Sequence, residues 1–121
     1  MPRDVRTEGY SRRHRFSARG SFGPVLRGNR KLRGQLTILH VAAGPVPVSR
    51  LGVALTRRLV ASSVDRNFLK RAMREAFRRH PIKHFGLDCV VMLRLRYASS
   101  QAEALVAEIR GHFDQLTGKP E

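Results

Sequence analysis

The chemistry of this 121-residue chain is concentrated in one stretch, SSVDRNFLKRAMREAFRRH, residues 62–80. Arg66, Lys70, Arg71, Arg74, Arg78 and Arg79 recur there at helical spacing, with Phe68, Leu69, Met73 and Phe77 between them. A guanidinium is planar, always charged, and forks onto two phosphate oxygens at once or stacks on a base. The whole chain shares this bias, with 24 Lys and Arg against 9 Asp and Glu, a net charge of +15. So basic a chain repels itself unless a polyanion neutralises it, and nucleic acid is the natural candidate. An anionic membrane surface would instead call for an amphipathic segment with its apolar face exposed. No run approaches the roughly 18 apolar residues of a spanning helix.

Chemistry by the protein alone is poorly supplied. A two-metal nuclease needs several carboxylates converging on one site. Here Asp4 and Glu8 lie near the start, Asp65 stands at a helix start, and Asp88 opens an apolar run. Glu75 is set amid arginines, where an internal ion pair is expected, and Glu103, Glu108 and Asp114 fall in the last helical pattern. His80 and His84 are separated by Pro81, and the lone Cys89 has no partners at zinc spacing. Neither a catalytic residue nor a protein-borne metal is assigned. Cys89 is expected as a buried thiol in a reducing compartment. With no apolar h-region in MPRDVRTEGYSRR, a cytoplasmic location is expected.

The elements that must hold the basic segment follow from periodicity. Residues 1–12 are polar and aperiodic, expected as a flexible basic tail ahead of a single domain over 13–118. Phe16 to Leu26 is weakly helical, and RGNRKLRG (27–34) is expected as a basic loop. QLTILHVAA alternates Leu36, Ile38 and His40 against Thr37, Leu39 and Val41, so it predicts a strand. RLGVALT, after a proline-interrupted turn, predicts a second, antiparallel strand.

The basic segment is then a helix, capped by Ser62 or Ser63 and stopped by Pro81. At about 100° per residue, Phe68, Leu69, Ala72, Met73, Ala76 and Phe77 share one arc. Arg66, Asn67, Lys70, Arg71, Arg74 and Arg78 share the opposite one. One side must pack on a sheet; the other, without interleaved acids, faces something negative. DCVVMLRL predicts a central strand covered on both faces. The last helix carries a Ser100–Glu103 capping box, a stripe through Leu105, Val106, Ile109, Phe113 and Leu116, and a terminating Gly118. The expected order is α-β-β-α-β-α, an α+β two-layer sandwich with a small sheet of about four strands, and the strand-helix-strand unit suggests one parallel pairing.

The run RLGVALTRRL…SSVDRNFLKRAMREAF resembles the signature of the bacterial ribonuclease P protein subunit: an R-x-G strand, a basic pair, then a helix reading R-N-R-x-K-R-x-x-R-E. Arg50 and Gly52 match the strand, Arg57 and Arg58 the pair, and Arg66, Asn67, Lys70, Arg71, Arg74 and Glu75 the helix. RHRFSARGSFGPVLRGNRKLRGQLTILH is similar to the family's first helix and strand. Two departures stand out. Phe68 replaces the second Arg of Arg-Asn-Arg and is expected to pack at the edge of the apolar arc. Leu26 stands where a second Phe is common.

The resemblance implies a left-handed β-α-β crossover around the long helix. It also implies a division of labour in which a catalytic RNA subunit binds Mg2+ and cuts precursor tRNA to free its mature 5′ end. Arg57, Arg58, Arg66, Asn67, Lys70, Arg71 and Arg74 would hold that RNA. Phe22, Leu26 and His40 would line a cleft for the single-stranded 5′ leader. The protein would be monomeric alone, with neither DNA nor membrane as a partner. The alternatives are a ribosomal protein or RNA chaperone, and a helix-turn-helix DNA binder. The latter needs a partner helix where a strand is expected.

Overall fold

The computed structural model describes residues 23–28, 30–44 and 47–118. In chain order come helix α1 (Gly23–Leu26), strands β1 (Arg30–Arg33), β2 (Thr37–Ala43) and β3 (Arg50–Ala54), helix α2 (Ser63–Arg78), strand β4 (Leu87–Leu93) and helix α3 (Ala102–Leu116). Short 3-10 turns, Pro81–His84 and Ser99–Gln101, precede β4 and α3. The expected tail over 1–12, and the stretch from Phe16 to Phe22, lie outside the described residues.

The α+β architecture is the expected one, with a four-stranded sheet ordered β1-β2-β4-β3, but two expectations about strands are corrected. Arg30–Arg33 is not a loop; it pairs antiparallel with β2, Arg30 opposite Val41 and Arg33 opposite Ile38. Its backbone satisfies the edge of β2, while Leu32 packs against the core and the three cations stay exposed. Charge on an outer strand also discourages further pairing. The second correction concerns β3, which does not form a hairpin with β2. It runs parallel to β4, and β4 enters between the two. Arg50 fixes that register: its Nε and Nη2 donate to the Asp88 carboxylate at 2.8 and 2.6 Å. The β3-α2-β4 connection is therefore the parallel crossover that the strand-helix-strand pattern suggested.

Both faces of the sheet are covered at its centre. On one, Leu39, Leu51, Cys89 and Val91 pack with Leu69, Met73 and Phe77 of α2 and with Ile109 and Phe113 of α3. Phe77 meets Phe113 edge to face, ring centroids 5.8 Å apart. On the other, Val25 of α1 lies on Val90, with Leu26, Ala42, Ala54 and Met92 around them. This is why the run over β4 is apolar on successive residues rather than alternating.

Local chemistry sets the ends of α2. The Ser62 hydroxyl accepts from the Asp65 N–H at 3.2 Å, and Asp65 places a negative charge in the positive first turn. Past Arg79, Pro81 cannot continue the helix. His80 turns its Nδ1 to the Ile82 N–H (3.0 Å), which leaves the ring proton on Nε2 to donate to Asp114 of α3 at 2.7 Å. The Ser100–Glu103 capping box does not form. Ser99–Gln101 is wound as a 3-10 turn, so Gln101 occupies the N-cap without a side-chain bond and Ser100 lies inside the turn. Gly118 does terminate α3, at φ +76, in the left-handed region that glycine enters freely.

Candidate nucleic-acid interface

Burying Leu69, Met73, Ala76 and Phe77 against the sheet turns the opposite arc of α2 outward. Asn67 and Arg71 are exposed, and Arg66, Lys70 and Arg74 are half-buried beside them. Arg66 has an additional task, its Nη1 donating to the carbonyls of Val60 and Ala61 at 2.8 and 3.0 Å. It thereby ties the first turn of the helix to the loop holding Arg57 and Arg58, both exposed on a turn that Thr56 caps. The seven expected RNA-contacting residues thus belong to one continuous stretch, the turn and the helix it feeds.

Glu75 does not dilute this face. It is claimed by Arg78 and Arg79, whose guanidinium groups hold its carboxyl down at about 2. That is the internal ion pair expected from the sequence, and it uses up the two C-terminal arginines rather than the central ones. Phe68, expected to pack, does not: half of its surface is exposed (50%). Leu69, one position on, already fills the place beneath the helix.

The second candidate surface is the sheet face beneath α1. Strand alternation puts Ile38, His40 and Ala42 of β2 there, beside Val90 and Met92 of β4. Leu26 is half-buried in the same cluster and His40 is half-buried in the middle strand; Phe22 lies outside the described residues. Burial, with the Lys31 charge opposite, pushes the His40 pKa down, so the ring is neutral near pH 7. Its Nδ1 is buried and has no hydrogen-bond partner among the described residues. Sequence reasoning missed the cations bordering this face. Once RKLR is a strand, Lys31 and Arg33 stand in register with His40 and Ile38 and share their face.

One carboxylate holds that border in place. Glu108 of α3 reaches the β1–β2 turn and accepts from the backbone N–H of Gln35 (3.0 Å), Leu36 (3.1 Å) and Thr37 (2.7 Å), and from the Thr37 hydroxyl (2.6 Å). A Cβ at Gly34 would collide with this carboxylate, so the close approach requires glycine there. The single hydroxyl proton of Thr37 goes to Glu108; its lone pair then accepts from Nε2–H of the buried His112 at 3.0 Å. Burial lowers the His112 pKa, partly offset by the nearby Glu108 charge. A neutral ring in this tautomer satisfies both observations.

The acids are thus largely committed: Glu75 to arginines, Asp88 to Arg50, Glu108 to the turn and Asp114 to His80. Among the described residues no three His, Cys, Asp or Glu groups gather to hold a metal. Cys89 is buried, and burial foremost, with the Asp88 charge, pushes its thiol up to about 12. No helix of the described residues is long and apolar enough to cross a membrane.

Comparison with known proteins agrees with this arrangement. The ribonuclease P family model matches residues 10–117. The chain is 34% identical over 121 residues to the ribonuclease P protein component of Methylococcus capsulatus, covering 97% of this chain and 93% of that one. It is 43% identical to the Nitrosomonas europaea component over 74 residues, 60% of this chain and 61% of that one. The solved RNase P protein from Thermotoga maritima superposes with a TM-score of 0.62 at 25% identity, covering 84% of this chain and 93% of that one. A match this long, over a fold and sheet of the same kind, shows that the chain belongs to the ribonuclease P protein family, that of a subunit of the endoribonuclease that processes tRNA.

Proposed function

We propose that this chain anchors the catalytic RNA of a ribonuclease P holoenzyme through α2, and that its second sheet face receives the 5′ leader of precursor tRNA. The observation that carries the first part is the one-signed face of α2. Lys70, Arg71 and Arg74 have no carboxylate partner among the described residues, because Glu75 is taken by Arg78 and Arg79. Arg66, Asn67 and the Arg57–Arg58 turn extend that face. Phosphate contacts of this kind give salt-sensitive affinity without sequence choice, as a scaffold contact to a large RNA requires.

The leader reading rests on the sheet face holding Leu26 and His40, with Phe22 expected nearby from the sequence. An apolar floor with a neutral imidazole can stack unpaired bases, and the Lys31–Arg33 border can follow their phosphates. Stacking tolerates any base, which suits an enzyme acting on many different leaders. Mg2+ belongs, in this reading, to the RNA subunit, and the protein contributes affinity and positioning rather than reacting groups. The protein alone is expected to be a monomer.

Reconstitution tests the proposal. The purified chain mixed with a bacterial ribonuclease P RNA should restore 5′ processing of a precursor tRNA at low Mg2+, where neither component cuts alone. A mixture that stays inert, although the chain binds RNA tightly, would leave the RNA-chaperone reading in its place.

A further inference from the structure

Phe68 is the one aromatic side chain of α2 that stands out of the core; Val64, in the first turn, is the other large apolar side chain of this helix left exposed. Position 68 lies one helical turn from Arg71, on the border where α2 faces α3. There the phenyl ring forms one wall of an open slot of about 450 Å3, completed by Ala102, Glu103, Val106, Ala107 and Arg110 of α3. The opposite wall is shallow because α3 presents two alanines there, and both Ala107 and Arg110 are exposed. The volume is in the range of small-ligand sites. Arg110 and Glu103 of α3 line the slot, and on α2 the exposed Arg71 follows Phe68 by one helical turn.

We propose that this slot takes one unstacked nucleobase of the RNA that α2 binds, stacked on Phe68, with the flanking phosphates on Arg71 and Arg110. The inference rests on the RNA-anchoring reading above and adds a contact of a different kind. The α2 face supplies charge; the slot supplies an aromatic surface at its edge, where a strand crossing from α2 to α3 would turn a base inward. The apolar lining, Phe68 with Ala102, Val106 and Ala107, suits the face of a planar base. An apolar protein segment would instead have to bring the two arginines against its own apolar surface. The walls carry no buried polar side chain that could read a base edge, so any base is accepted.

The consequence is a different response to salt. Where the family's helix motif has arginine, Phe68 exchanges a phosphate contact for a stacking one, and the two differ in their response to salt. A phosphate contact adds close to one unit to the slope of log affinity against log salt, whereas stacking adds none.

Filter-binding titrations of a bacterial ribonuclease P RNA test this, using the wild type, Phe68→Leu, Phe68→Tyr and Arg110→Gln. Loss of one stacked base predicts binding about five- to a hundredfold weaker for Phe68→Leu, at unchanged salt slope. Phe68→Tyr should bind as the wild type does. Arg110→Gln should weaken binding and lower the slope by about one. Dimethyl sulfate probing should show a base protected by the wild type and exposed with Phe68→Leu. Melting curves check the fold, and Arg110→Gln, at an exposed position, reports on the slot even if Phe68→Leu is destabilised. Equal binding by wild type and Phe68→Leu overturns the slot alone. So does a change confined to self-association, which would make Phe68 a contact between copies. A wild-type chain that binds no RNA overturns the anchoring reading and the slot with it.

Discussion

Replacing Glu108 by Gln should loosen the β1–β2 turn, and its cost can be worked from the bonds. The carboxylate accepts from three successive N–H groups and the Thr37 hydroxyl. Gln35 is exposed, so water can replace that bond at little cost. Thr37 is fully buried (0%), and its N–H and O–H have no access to water. Each charge-assisted bond contributes about 1.5–3 kcal/mol, and a carboxamide retains a neutral acceptor while turning an NH2 toward the remaining donors. A loss of roughly 2–3 kcal/mol follows, or about 10 °C in Tm for a domain of this size. The sign with pH is also fixed. Burial alone would raise the Glu108 pKa, but the hydrogen bonds from Thr37, Leu36 and Gln35 outweigh it and hold it below the ordinary carboxylate value. Its stabilisation is therefore complete above that value and lost as pH falls through the lower, folded one. Thermal melts of wild type and Glu108→Gln should differ near neutral pH and draw together at acid pH, as the wild-type carboxyl itself becomes neutral below its lowered pKa. The other carboxylates are common to both proteins and cancel. A gap of equal size at both pH values, or none at neutral pH, would refute the assignment of the bonds to an ionised Glu108.

The double substitution Arg66→Ala with Lys70→Ala should weaken binding to the RNA subunit and lower the salt slope by roughly one to two; unchanged affinity in a filter titration would remove α2 from the interface. His40→Ala should reduce affinity for precursor tRNA by about tenfold while sparing mature tRNA, since only the former has a leader to stack. Equal losses, with an unchanged melt, would take His40 out of the leader path. Cys89, buried and with its thiol pushed up to about 12, should resist alkylation in the folded protein and react only at the unfolding rate. Rapid labelling under native conditions would contradict its place between the sheet and the helices.

The sequence spoke most clearly where a period runs long enough to define a face. The arcs of α2 could be drawn from residue spacing, and its cap and stop residues act as their types suggest. The β1 strand could not be read in this way, because RKLR has one apolar residue and borrows its structure from the edge of β2. The pairing of β3 was misjudged because hairpin logic is local, whereas its partner arrives 38 positions later in the Arg50–Asp88 bond. Phe68 fell on the apolar arc, and only the packing reveals that Leu69 takes the space beneath. Glu108 gave no signal at all, since its partners are backbone groups more than seventy residues away in the chain. Of the candidate site, the charge was legible and the cleft border was not.

The strand order β1-β2-β4-β3 also sets a schedule. During synthesis β1 and β2 can pair as soon as they emerge, but β3 has no neighbour until the ribosome reaches Leu93. In the interval the arginine helix already exists as chain, with no completed sheet on which to bury Leu69, Met73 and Phe77. Contacts this distant in sequence make assembly slow relative to local hairpins. A chain interrupted between α2 and β4 would hold a hairpin, an orphaned strand and a free polycation, and it should cling to RNA without folding. A second fragment carrying β4 and α3 would then be the piece that converts that polycation into a shaped surface.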